Sequence, residues 1–73
     1  MSKLKSFTPK EIIKILESKG FILDRTKDSH QILINHETKR RVVVPFHKKD
    51  LPKGTLYEIL RQAGLSKEEL KNL

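Results

Sequence analysis

Cysteine is missing from this chain, and the gap removes two architectures at once. Without thiols there is neither a disulfide framework nor a thiolate metal site, so the core must hold on packing alone; the absence also fits a reducing cytoplasm. Long apolar runs are missing as well. No stretch approaches the roughly 18 apolar residues of a membrane span, and Met1-Ser2-Lys3-Leu4-Lys5 lacks the apolar centre of a signal peptide. A soluble, cytoplasmic protein with no membrane partner is expected. No linker, repeat or low-complexity tract divides the 73 residues, so residues 1–73 read as one domain. A chain of that size buries only about 60% of its unfolded surface, which argues against a deep catalytic cleft. The three histidines include no close ligand pair, so no metal or other cofactor is expected. A phosphate-binding glycine loop is absent too: Lys53-Gly54-Thr55 resembles the tail of one, but the earlier glycine is not there. It reads instead as a helix start, whose free N–H groups can hold a phosphate beside Lys53.

What the chain has is positive charge. Its formal net charge is +7, a value that says more about partners than about fold and points to anionic ones. Lys10 and Lys14 lie one helical turn apart, Arg25 and Lys27 precede His30, Lys39-Arg40-Arg41 form a run, and Lys48, Lys49 and Lys53 follow His47. From Asp24 to Lys53 there are eight basic and four acidic residues, so 8 − 4 = 4 of the seven net charges fall there. Lysine scattered on helices also serves solubility alone. Arg40-Arg41 beside a hairpin turn is harder to read that way.

Periodicity gives the order helix, three strands, helix. Thr8 can cap a helix, Pro9 suits its first position and Glu11 completes a capping box. Ile12, Ile13, Ile15 and Leu16 then share one arc while Lys10, Lys14 and Glu17 occupy the other, and Gly20 ends the helix. Residues 21–26, 29–35 and 41–44 read as strands, with His36-Glu37-Thr38-Lys39 as a hairpin turn and Pro45 stopping the ladder. The short connections make them antiparallel. Leu56, Ile59, Leu60 and Ala63 repeat at helical spacing from about Gly54 to Ala63. Gly64 suits a left-handed cap with Leu65 as its apolar contact, and Ser66 with Glu69 forms a second capping box for a short last helix. The fold class is therefore α+β: a three-stranded antiparallel sheet covered on one face by two helices, with its other face left to water or a ligand.

His30 heads the apolar run Ser29-His30-Gln31-Ile32-Leu33-Ile34, and from the residues alone it has two readings. It shares strand parity with Ile32 and Ile34; if those face the core, His30 is a half-buried structural histidine with a backbone partner. Alternatively it is a titratable imidazole on a rigid strand, among cations able to hold a polyanion against it. His36 sits in a turn and is simply exposed. His47 is either a loop residue or a contact to the anionic partner or proton donor.

Gly20-Phe21, Arg25, Ser29-His30, Val42-x-Val44-Pro45-x-His47 and Gly54-Thr55-Leu56-x-x-Ile59-Leu60-Arg61-Gln62-Ala63-Gly64-Leu65 together resemble the HicA family of bacterial and archaeal toxins, over nearly the whole chain. The resemblance implies a fold similar to the double-stranded RNA-binding domain and activity as an mRNA interferase, an endoribonuclease silenced by a HicB-type antitoxin. It makes His30 the catalytic residue. Lys10, Lys14, Arg25, Lys27, Ser29, Arg40, Arg41, His47, Lys48, Lys49 and Lys53 are then the candidate RNA contacts. The family commonly has Gly before Ser-His, where this chain has Asp28. Asp tolerates the left-handed backbone region better than most residues, so the turn is expected to survive, although its charge favours imidazolium and repels phosphate.

The chemistry also stands on its own terms. RNA carries its nucleophile in the 2′-hydroxyl, so cleavage needs a base to take that proton and cations to stabilise the charge on phosphorus, with no metal required. A non-catalytic module that grips duplex RNA is the competing reading. A basic adaptor for an acidic protein is the third.

Overall fold

Thr8 opens the first helix in the manner its sequence predicts. Its side chain accepts from the Glu11 N–H at 3.2 Å while the Glu11 carboxylate accepts from the Thr8 N–H at 2.9 Å, with Pro9 as the first helical residue. The computed structural model describes residues 6–47 and 49–71. The elements are α1 (Pro9–Ser18), β1 (Ile22–Lys27), β2 (His30–Asn35), β3 (Arg40–Pro45), α2 (Lys53–Ala63) and α3 (Lys67–Lys71). The strands form one antiparallel sheet in the order β1-β2-β3. The α-β-β-β-α order and the short final helix match the expected α+β class.

Local signals explain most boundaries. Gly20 takes a φ of +97°, and the Gly20 and Phe21 N–H groups close α1 onto Glu17 and Leu16 carbonyls. Phe21, read above as the first strand residue, instead drops into the core before β1 begins at Ile22. Gly64 ends α2 in the left-handed conformation at φ +74°, and the Leu65 N–H returns to the Leu60 carbonyl. The Ser66 N–H donates to the Glu69 carboxylate at 2.9 Å, and Lys19 pairs with Glu69 at 3.5 Å, which ties α3 to the end of α1.

Helices α1 and α2 supply Ile12, Ile13, Leu16, Leu56, Ile59, Leu60 and Ala63 to a core closed by Leu33, Val42 and Val44 of the sheet and by Leu70 of α3. Burying side chains of this size stabilises by roughly 1.5–3 kcal/mol each relative to leaving them exposed. The register assigns the faces: Leu33 lies opposite Leu23 and Val42, so odd-numbered β2 residues point toward the helices. His30, Ile32 and Ile34 therefore share the opposite face. That settles the parity question left open by the sequence, because Ile32 is buried outside the helix-covered core and His30 stands exposed at the head of the central strand.

Two structural devices are invisible to periodicity. Asn35, only 4% exposed, donates through Nδ2 to the Lys19 carbonyl at 3.2 Å and accepts at Oδ1 from the N–H groups of Glu37 and Thr38. It fastens the end of α1 to the β2–β3 turn. Gln62 accepts at Oε1 from the Val43 N–H at 3.1 Å, so a side chain of α2 satisfies the outer edge of β3.

Candidate functional site

The β1–β2 hairpin builds the centre of the site. Lys27 and His30 are register partners across the two-residue loop Asp28-Ser29, which places their Cα atoms about 5 Å apart. Asp28 adopts a φ of +55°, so it performs the left-handed turn expected of it in place of glycine. A register shift between Leu23 and Arg25 leaves Asp24 as an extra residue in β1. The bulge sets Arg25 opposite Ile32 and Lys27 opposite His30, and so puts two cations on the uncovered face. An unbulged continuation from Leu23 opposite Leu33 would have put Asp24 and Thr26 in those places. Arg25 Nε in turn pairs with Asp24 Oδ2 at 3.2 Å, an exposed contact worth little stability.

A neighbouring concavity is built by the chain after β3. Pro45 is the β3 partner of His30, and one step further the Phe46 N–H donates to the Ser29 carbonyl at 2.6 Å. This bond binds the segment carrying His47 to the hairpin that carries His30. The Leu51 N–H then donates to the Phe7 carbonyl at 2.8 Å and fixes the approach to α2. Between these anchors lies an open concavity of about 310 Å³ lined by Pro45, His47, Lys49, Asp50, Leu51, Pro52 and Thr55. Helix α2 begins at its rim with Pro52 in the capping position and no side-chain cap bond.

The candidate RNA contacts fall into separate groups. Arg25, Lys27 and Ser29 lie with His30 on the β1–β2 hairpin, His47 and Lys49 line the concavity that Pro45, the β3 partner of His30, also lines, and Lys53 opens α2. Arg40 and Arg41 occupy the opposite end of β3, roughly 14–17 Å away along the strand. Arg41 pairs with Ile34 and so belongs to the His30 face, whereas Arg40 Nη1 donates to the Gln62 carbonyl at 3.4 Å near the end of α2. Lys10 and Lys14 are exposed on α1, across the sheet from His30. Lys48 lies outside the described residues.

The His30 ring engages in no hydrogen bond or ion pair among the described residues, so the backbone partner of the structural reading is not there. His36 lies exposed in the β2–β3 turn. Among the described residues no group of three or more His, Asp or Glu side chains converges to hold a metal ion.

Sequence reasoning missed the side-chain links that tie α2 to the outer edge of β3. Glu58 accepts from both Arg61 and Gln62, and Gln62 in turn reaches Val43. The Arg61 hydrogen bond holds the Glu58 carboxyl below its ordinary value, with Gln62 assisting against partial desolvation. The Gln62 spacing to Glu58 is the i, i+4 signal of a helix pair, but its strand partner leaves no local trace.

Fold and site together define a class: small, strongly basic α+β domains with one helix-covered sheet face and a cation-flanked histidine on the other. The family model for the HicA toxin of bacterial toxin–antitoxin systems matches residues 9–65, most of the chain, and the chain belongs to that family. It is thus a toxin of a toxin–antitoxin system, and the family implies an antitoxin partner. No curated protein matches the chain. Among the described residues no helix is long and apolar enough to cross a membrane.

Proposed function

We propose that this toxin is an endoribonuclease of mRNA that works without a metal, with His30 as general base, and that a HicB-type antitoxin silences it by covering His30 or the basic face. The single observation that carries the reading is the placement of an exposed, unengaged His30 opposite Lys27 and two register positions, hence on the same face, from Arg25. His30 takes the proton of the ribose 2′-hydroxyl, the 2′ oxygen bonds to phosphorus, and the bond to the 5′ oxygen breaks. Lys27 and Arg25 stabilise the added negative charge on the phosphoryl oxygens. The leaving 5′ oxygen takes a proton from His47 or a lysine, giving a 2′,3′-cyclic phosphate and a 5′-hydroxyl. DNA, lacking the nucleophile, is not cleaved.

The test is His30→Ala, purified and assayed in chelator. A folded protein that binds RNA and leaves it intact is the expected result; cleavage undiminished from wild type would discard His30 as the base. The spread of Lys10, Lys14, Arg40 and Arg41 beyond the site favours a second reading, a module that grips duplex RNA. Stable complexes with intact RNA from the wild type would select it.

A further inference from the structure

The concavity beside His30 has features that phosphate binding does not use. Its volume of about 310 Å³ stands at the small end of ligand pockets, the scale of one flat heterocycle rather than a helix or a folded peptide. Pro45, Leu51 and Pro52 give it apolar walls, and the first of these is the β3 partner of His30. The walls are fixed before any ligand arrives: both prolines have locked φ, Leu51 is buried, and its N–H is held by Phe7. The same lining includes the imidazole of His47, the hydroxyl of Thr55, the cation of Lys49 and the carboxylate of Asp50. Each has a use toward a nucleobase. An imidazole stacks on a base, and a carboxylate accepts from an exocyclic amino group. A carboxylate is misplaced, by contrast, in a site built for a phosphate.

Resting on the ribonuclease reading, we infer that this concavity is a nucleobase subsite that receives one unpaired base of the RNA strand bound across His30, with Asp50 favouring bases that carry an amino group. In an A-form duplex the bases are stacked and paired, and side chains cannot reach them through the deep major groove. A base seated between Pro45 and Pro52 has left the stack. The strand next to it is then free of duplex geometry, which lets the 2′ oxygen, phosphorus and 5′ oxygen come into line for displacement. The substrate is single-stranded RNA or a splayed loop, and the subsite rather than the basic surface sets where it is cut.

The experiment is a titration of amide chemical shifts with adenosine, cytidine, guanosine and uridine 3′-monophosphates, joined to cleavage of a single-stranded oligoribonucleotide scanned with abasic positions. Saturable shifts confined to residues 45–55, severalfold tighter for the three amino-bearing nucleotides than for uridine, are expected. Thr55→Leu, which fills the space, should weaken them at least tenfold. Asp50→Ala, at an exposed loop position, should abolish the preference without emptying the site. One abasic position near the cut should lower kcat/KM at least tenfold for wild type and far less for Thr55→Leu. Shifts scattered over the basic surface, or equal cleavage at every abasic position, would overturn the subsite while leaving His30 as the base. Active His30→Ala with the confined shifts intact would instead reject the nuclease mechanism and keep the subsite.

Discussion

Lys27 faces His30 across the β1–β2 ladder only because Asp24 is absorbed as a bulge. Bulges bend a strand and re-aim its side chains, and here the shift exchanges an acidic and a neutral residue for two cations on the open face. Charge near His30 is thus a consequence of backbone register rather than of sequence proximity alone.

Asp28 holds a positive φ that costs an L side chain energy, and it adds a negative charge two residues before His30. Asp28→Gly is expected to stabilise the fold by about 1 kcal/mol, or roughly 4–8 °C in Tm for a domain of this size. RNA binding should tighten severalfold at low salt, with the gain shrinking as salt rises. A lower Tm in thermal unfolding would contradict this account of the turn.

Asn35 joins three backbone groups, so its loss strands them together. Asn35→Ala should cost about 2–3 kcal/mol, because a buried donor or acceptor left unpaired costs about 1–3 kcal/mol. Urea denaturation measures this directly; a change below about 0.5 kcal/mol, the size of an ordinary surface substitution, would show that water replaces the bonds freely.

Acid should loosen the two carboxylate clasps. The Ser66 backbone N–H, with Lys19 assisting, lowers the Glu69 carboxyl below its ordinary value of 4.5, and Arg61 does the same for Glu58. A depressed folded value means that the stabilisation is complete above 4.5 and disappears as pH falls through the folded value. Unfolding midpoints measured from pH 6 to about pH 3 should therefore fall less steeply for Glu69→Gln than for wild type. Parallel curves would remove Glu69 from the acid response.

Gly64 meets both a conformational and a steric demand. A Cβ there would stand 2.6 Å from Arg40 Nε, on a backbone at φ +74°. Gly64→Ala should cost about 1–2 kcal/mol from the backbone alone. Adding Arg40→Ala should recover the steric part and leave the backbone part, a non-additivity that a double-mutant cycle reads. Strict additivity would show that the Arg40 side chain simply swings aside.

The helices and turns were legible because their signals are local. Thr8 with Glu11, Gly20 and Gly64 act within a few residues and each does what its spacing implies, whereas Ser66 with Glu69 makes only half of its expected box: the Glu69 carboxylate accepts from the Ser66 N–H, but the Glu69 N–H donates to the Ser66 carbonyl and not to its side chain. The faces of β2 were not legible. Two isoleucines on one parity outweigh one leucine on the other by hydropathy, yet Leu33 takes the core because Val42 and Val44 of β3 close with it beneath the helices. The end-to-end separation of Arg40 and Arg41 from His30 follows from antiparallel pairing and could be counted from the strands. The Asp24 bulge, the Asn35 clasp and the concavity before α2 depend on contacts between distant segments, which no window of sequence contains.

The sheet has two margins, and the chain treats them differently. Along β3 the Gln62 amide occupies a backbone donor that another polypeptide would need, so ladder growth is blocked on that side. Along β1 every residue is accessible, but the additional Asp24 breaks the even spacing of hydrogen-bonding groups on which strand addition relies. Both margins therefore disfavour edge-to-edge pairing of a small domain that carries exposed apolar surface at Ile22.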